Sequence, residues 1–329
     1  MAYERECRVA IESVVRACRF CQSVQACLHS GVVLGKEDGS PVTVADFGSQ
    51  ALISAHLSRH FPQEVIVGEE VADQLRTPGH MDLKEEMIRQ VRIIEDNLSP
   101  AQIIDAIDRG AGSPKGQERY WTVDPIDGTK GFMRRDQYAV ALALLEQNEV
   151  VLAVLGCPNL PVASLESFNE DGCIFVAVKG EGAVMMGMGD RRETEIKVSE
   201  VTDPSLAVLC ESFESSHVSH KDSARISEYL GIKRPHIRMD SQCKYGVVAR
   251  GEAALYLRIT PDDSYLEKIW DHAAGALIVQ EAGGKVTDLN GEPLDFSPGR
   301  TMINNNGIIA SNGRFHEQVV EAVKTLFSL

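Results

Sequence analysis

The segment Trp121-Thr-Val-Asp124-Pro-Ile-Asp127-Gly-Thr129-Lys-Gly-Phe132 narrows most what this chain can become. Its apolar start reads as a strand that must be buried, yet it runs into two carboxylates three residues apart. Pro125 between them ends a hydrogen-bond ladder, and the Gly128-Thr129 step opens a turn or helix. A fold that buries this strand therefore has to leave its end facing a site. Hard divalent cations take oxygen ligands, and Asp124, Asp127 and the carbonyl of Ile126 supply three on one bent segment. The N–H groups of Gly128 and Thr129 are then suited to hold a phosphate oxygen, as helix N-termini do.

Three more acidic elements stand at the ends of expected strands and helices. Gly68-Glu69-Glu70 lies where a short strand leaves the core, Asp271 precedes an apolar helix in Trp270-Asp-His-Ala-Ala-Gly275, and Asp46 closes Ser40-Pro-Val-Thr-Val-Ala-Asp46. Singly, Asp46 and Asp271 read as helix caps. Together, converging carboxylates repel one another unless cations bridge them, so the set predicts a metal cluster. Other motifs carry less. His56-x-x-x-His60 lacks the glutamate of a zinc-protease helix and reads as a surface pair. Gly110 to Gly116 lacks the residue order of a phosphate-binding loop, and the Asp124-to-Asp127 spacing is one residue too long for phosphatases that phosphorylate an Asp-x-Asp aspartate.

Hydrophobic periodicity predicts helices over 3–29 and 45–60 and a strand over 64–67. Two further helices, near 83–96 and 100–109, fall in a polar stretch, 71–120, that reads as an insertion rather than core. Hairpins are expected over 138–155 and 173–186, with strands at 206–210, 253–259, 284–288 and 307–310 and helices at 219–230, 270–282 and 313–327. This mixture argues for an α+β or layered α/β architecture, not a βαβ repeat. The loop from Pro158 to Glu170 is the expected boundary between an N-terminal α+β metal-binding domain (1–158) and a C-terminal α/β substrate-binding domain (159–329).

The 48 acidic and 33 basic residues leave a net charge of −15. Such a surface repels nucleic acid and anionic lipid, so an anionic ligand needs local cations or bound metal. Neither nucleic-acid nor membrane partners are expected, and the chain reads as a monomer. Acidic residues precede any apolar run at the N-terminus, which reads as an intracellular, cytoplasmic chain with an organelle left open. The eight cysteines are too scattered for a disulfide framework, and Cys18-x-x-Cys21 has no second half-site, so idle thiols are expected.

The acidic motifs together resemble the inositol monophosphatase superfamily of lithium-sensitive, Mg²⁺-dependent phosphatases. Asp127-Gly-Thr-Lys-Gly-Phe132, Asp136-Gln-Tyr-Ala-Val-Ala-Leu142, Asp240-Ser-Gln-Cys-Lys-Tyr245, Tyr256-Leu-Arg258, Glu267-Lys-Ile-Trp-Asp271 and Pro293-Leu-Asp-Phe296 are similar to its 3′(2′),5′-bisphosphate nucleotidase branch in plants and fungi. Val71, where another acid is frequent, and Cys243, where Ala is common, depart from the pattern. The resemblance implies a layered αβαβα sandwich that hydrolyses 3′-phosphoadenosine 5′-phosphate to AMP and phosphate, with two or three Mg²⁺ ions. It implies Glu69, Asp124, Ile126, Asp127 and Asp271 as metal ligands, and Asp46 with Thr129 as the pair that activates water. For the nucleotide it implies Thr129, His217 (or its neighbour His220), Ser241, Lys244 and Arg258. The alternative substrate class is inositol polyphosphates, cleaved by a 1-phosphatase as main or side activity, and 3′-phosphoadenylyl sulfate is a further candidate.

Overall fold

Residues 139–146 explain why this chain stacks in layers. The computed structural model describes residues 2–27, 33–35, 41–167, 171–214, 219–259 and 265–327, with only the backbone at 33–35 and 41. Within it Val140, Leu142 and Leu144 enter one core, whereas Ala139, Ala141, Ala143 and Leu145 enter a second on the other side of the strand. Side chains alternate along a strand, so one that is apolar on both faces needs cover on both. Bulky residues meet one layer of helices and mostly alanines meet the other.

Helix α1 (Glu4–Cys27), the small ribbon β1 (Val33–Gly35) and β2 (Pro41–Thr43), and helix α2 (Val44–His60) begin the chain. The main sheet has seven strands, in spatial order β3 (Val65–Gly68), β4 (Arg119–Asp127), β5 (Ala139–Glu146), β6 (Glu149–Pro161), β7 (Gly172–Val178), β8 (Gly182–Gly187) and β9 (Thr194–Glu195). Helices α3 (Met81–Ile94) and α4 (Pro100–Asp108) lie between β3 and β4 in sequence, and α5 (Thr129–Arg134) follows β4. The second sheet holds β10 (Leu209–Ser212), β11 (Ile237–Met239), β12 (Leu255–Arg258), β13 (Lys285–Thr287) and β14 (Ile308–Ser311), in the order β11-β10-β12-β14-β13. Between the sheets pack α7 (Cys243–Ala249) and α8 (Ala273–Glu281); outside the second sheet are α6 (His220–Leu230) and α9 (His316–Phe327). The αβαβα layering expected from the resemblance is what the chain forms.

The stretch 71–120, expected to lie outside the core, contributes to it: Leu75, Leu83, Met87, Val91, Ile103 and Ile107 join the same buried cluster as α1 and α2. The apolar stripe of α3 is one residue wide per turn and is masked in sequence by the charged residues around it. Pro158, where the sequence suggested a division, lies inside β6, and β7 and β8 extend the same sheet beyond it. His56 is buried rather than a surface residue, and burial pulls its imidazole down to about 4. Seven cysteines (Cys7, Cys18, Cys21, Cys157, Cys173, Cys210 and Cys243) are buried thiols outside any disulfide; burial holds Cys7 up at about 11 and raises Cys18 and Cys21 too, leaving little thiolate at neutral pH. Among the described residues no helix is long and apolar enough to cross a membrane.

Candidate active site

The site begins with an irregularity in β4. Two residues three apart on a regular strand point to opposite faces. Asp124 pairs with Ala141 and Asp127 with Ala139, so β4 advances three residues while β5 advances two. This bulge puts both carboxylates on one side, and Pro125, which has no N–H to lose, occupies it. Ser49 on α2 donates to the Pro125 carbonyl at 2.9 Å and steadies the bulge from behind. Gly128 then turns the chain at φ +86°, where a side chain would also press within 3.0 Å of the Ser241 Cβ.

Four acids from distant segments meet here. Burial raises Asp124 well above the ordinary carboxylate range, reinforced by the charges of Glu69, Asp127 and Asp271. Burial raises Asp271 in the same way, with Asp127 and Glu69 adding to it and Arg258 opposing. Asp127 is pushed up by burial to about 6, against the pull of Lys244. Glu69 enters from the end of β3, its N–H donating to the Val123 carbonyl at 3.1 Å. Asp271 does not cap α8, whose first turn opens after His272 with no side-chain cap. The Ile126 carbonyl oxygen lies 3.3 Å from Thr129 Oγ1, a second and longer alternative to Asp46 Oδ1 for the one hydroxyl proton.

Asp46 has a separate hydrogen-bond partner for each carboxylate oxygen. Its Oδ2 accepts from the Thr43 N–H at 2.8 Å and from Thr43 Oγ1 at 2.6 Å, closing a capping box at the start of α2. Its Oδ1 accepts from Thr129 Oγ1 at 3.1 Å. A helix cap thereby fixes the carboxylate that orients the threonine.

Of the residues expected to hold a nucleotide, Ser241 sits at φ +70° beside Gly128, and Lys244 Nζ donates to the carbonyls of Ser241 at 2.7 Å and Met239 at 3.4 Å. Lys244 also lies over the Tyr256 ring at 5.3 Å. Arg258 Nε donates to Glu267 Oε1 at 2.8 Å, and its Nη2 is 3.9 Å from Asp271. Burial alone would raise Glu267, but Arg258 and His272 outweigh it and hold the carboxyl down at about 2. His217 lies outside the described residues; His220 opens α6, with Nε2 2.9 Å from the Ser212 carbonyl.

Gln242 is a residue that motif reading passed over. Its N–H donates to Asp127 Oδ2 at 2.5 Å, its Nε2 to the Trp270 carbonyl at 2.8 Å, and its Oε1 accepts from the Gly275 N–H at 3.0 Å. It ties the β4 acids to the Asp271 turn. The only sequence signal was its place inside the Asp240-to-Tyr245 motif.

A layered αβαβα sandwich with clustered carboxylates at a β4 bulge and a threonine–aspartate pair beside them defines a class, and the chain belongs to the inositol monophosphatase family, whose profile matches residues 5–327. It is 42% identical, across the whole of both chains, to a protein of Emericella nidulans named 3′(2′),5′-bisphosphate nucleotidase. It is 45% identical to 3′(2′),5′-bisphosphate nucleotidase 1 of Arabidopsis thaliana, covering 98% of this chain and 97% of that one. Among solved structures, an inositol monophosphatase of Thermotoga maritima shares the fold with a TM-score of 0.67 at 23% identity, covering 97% of this chain and 96% of the other. CysQ of Bacteroides thetaiotaomicron does so with a TM-score of 0.62 at 20% identity, covering 95% and 98%.

Proposed function

We propose that this chain is a metal-dependent 3′(2′),5′-bisphosphate nucleotidase, which cleaves 3′-phosphoadenosine 5′-phosphate to AMP and phosphate. One observation carries the metal-dependent part: Asp124 is buried, its Oδ1 has no hydrogen-bond partner among the described residues, and three more carboxylates crowd it. Such a group is costly unless a cation answers it. Glu69, Asp124, the Ile126 carbonyl, Asp127 and Asp271 are an all-oxygen set, the chemistry a hard divalent ion such as Mg²⁺ prefers. Two or three Mg²⁺ ions held there would offset phosphate charge and acidify a nearby water. The choice of a nucleotide rather than an inositol phosphate rests on the relatives' names over whole chains.

The chain's own groups handle the water and its proton. Because Thr129 Oγ1 donates to Asp46, its lone pairs turn to the site and accept a hydrogen bond from the attacking water. As the water oxygen bonds to phosphorus, its proton passes to Oγ1 and the threonine's proton to Asp46 Oδ1. The bond from phosphorus to the 3′-oxygen breaks, and that oxygen takes a proton from solvent. Thr129, His217, Ser241, Lys244 and Arg258 hold the nucleotide, the two cations facing its 5′-phosphate.

Lys244→Ala and Arg258→Ala should each raise KM for 3′-phosphoadenosine 5′-phosphate by about 10- to 150-fold, the cost of about 1.5 to 3 kcal/mol for a lost charge-assisted contact. KM for a monophosphate lacking the second phosphate should move far less. Equal losses on both substrates would assign these cations to the fold, since Lys244 also holds the Ser241 turn.

The function is tested by phosphate release from 3′-phosphoadenosine 5′-phosphate, inositol 1,4-bisphosphate and inositol monophosphate, in Mg²⁺, in EDTA, and in LiCl or KCl at one ionic strength. The nucleotide should be turned over fastest, EDTA should stop the reaction, and LiCl should inhibit more than KCl. Preference for inositol 1,4-bisphosphate would replace the nucleotide reading with the 1-phosphatase one.

A further inference from the structure

Arg300 reaches across the molecule to the acidic site from a segment that no motif marks. Its backbone is zipped to the strand-like stretch ahead of Asp271: Ile269 N–H donates to the Arg300 carbonyl at 3.2 Å, Lys268 bridges Thr301, and Met302 N–H donates to the Glu267 carbonyl at 2.8 Å. The side chain then leaves this segment for the end of β3. Nη2 donates to the Gly68 carbonyl at 2.5 Å, and Nη1 to the carbonyls of Gly110 at 2.9 Å and Gly112 at 3.2 Å. The guanidinium carbon lies 4.7 Å from the centre of the Trp270 ring.

These contacts sit on either side of the acids. The Gly68 carbonyl belongs to the peptide that precedes Glu69, and Trp270 immediately precedes Asp271. On the far side of Glu69, Gln50 accepts from the Glu70 N–H at 3.0 Å and donates to the Glu70 carbonyl at 2.5 Å. Glu69 is therefore bracketed, by α2 after it and by Arg300 before it. Only Arg300 also touches the Asp271 turn, which comes from the other end of the chain. Carboxylates that repel drive their backbones apart, and a planar fork with donors in fixed directions resists that where a flexible point charge does not. Burial pulls the guanidinium below its ordinary value and the Glu69 charge works against that, so the cation also lies within the acids' field.

We infer that Arg300 is a positioning residue: its guanidinium locks the end of β3 to the Trp270–Asp271 turn and sets the spacing between Glu69 and Asp271 across the acidic cluster. This rests on reading the acids as a metal site. It touches neither substrate nor reacting atoms, so its effect belongs to metal affinity rather than to the proton-transfer pair.

The test is calorimetric titration of Mg²⁺ alone into the wild type, Arg300→Met and Arg300→Lys, with melting temperatures measured in EDTA. Arg300→Met should weaken Mg²⁺ binding about tenfold, about 1.4 kcal/mol. Arg300→Lys should weaken it several-fold, because an ammonium cannot reach the Gly68 carbonyl and the Gly110–Gly112 carbonyls together. A folded Met variant with a lower melting temperature and unchanged Mg²⁺ affinity would reduce Arg300 to a structural strut and overturn the inference. A Lys variant that binds as tightly as the wild type would also overturn it, since charge alone would then suffice; this variant decides if the Met variant does not fold. A wild type that takes up no Mg²⁺ would instead sink the metal site itself, and Arg300's role with it.

Discussion

Asp127→Asn is expected to lower phosphate release by about a thousandfold or more while making the metal-free protein harder to melt at neutral pH. The two effects have one cause. Burial pushes the Asp127 carboxyl up to about 6, with Lys244 and the Gln242 N–H pulling it down and Glu69 adding to the rise. A raised folded-state value means that the native protein keeps a proton the unfolded chain releases near pH 4. At low pH both states hold it and the site has no penalty. As pH rises through about 6 the native site loses that proton, and the crowded charge then weighs fully against folding. An amide has no such proton to lose and still accepts from the Gln242 N–H. The mutant's melting temperature in EDTA should therefore exceed the wild type's by a few degrees at pH 7.5 and match it below about pH 4. Saturating Mg²⁺ should reverse the order, because only the wild-type site is stabilised by the cation. Near-normal turnover, or a mutant less stable at every pH, would remove Asp127 from the metal site.

Thr129→Ala should lower kcat by about 10²- to 10³-fold and leave KM within about threefold, since orienting and deprotonating water matters chiefly in the transition state. Thr129→Ser, which keeps the hydroxyl, should recover most of the rate. Asp46→Ala should lose a similar factor in kcat, and the double mutant little more, because the 3.1 Å hydrogen bond makes the two residues one unit. Asp46→Ala carries an extra signature. It also removes the capping box with Thr43, at about 1 kcal/mol, so its melting temperature should fall where that of Thr129→Ala does not. Steady-state kinetics beside thermal melts separate the two roles. Fully additive losses in kcat would separate the two roles, and an unchanged kcat in Asp46→Ala would mean that Asp46 serves only the helix.

Much of the site was legible because its chemistry is local. Asp124-Pro-Ile-Asp127-Gly-Thr129 carries acids, a ladder-ending proline and a turn within a few residues, and each has a physical meaning without knowledge of the rest. The continuous apolar runs of β5 and β6 likewise announce themselves. The capping reading of Asp46 was near but misplaced: Thr43 is the N-cap of α2, and Asp46, three residues on, closes the capping box from within the first turn. What it could not reveal was the second oxygen's partner, 83 residues away.

Other features were hidden because they arise only when distant segments meet. Leu83, Met87 and Val91 make a core stripe only because α2 offers them an apolar surface; among charged neighbours the same pattern reads as an exposed helix. Strand β11 is three residues long and exists through its pairing with β10. Gln242 and Arg300 have no acidic or metal-binding character of their own, and their importance comes entirely from the carbonyls and carboxylates that the fold places around them.

The sequence by itself determined which oxygen-bearing side chains are available, and that their strand and helix ends must face a common cleft, because burying those carboxylates unpaired would be prohibitive. The tertiary structure alone decided that Asp124 and Asp127 share one side, because the extra residue in the β4 bulge depends on how β4 pairs with β5. It also decided that Asp271 leaves α8 uncapped to join Glu69, because that meeting is made by contacts between segments far apart in the chain, to which local propensity is blind.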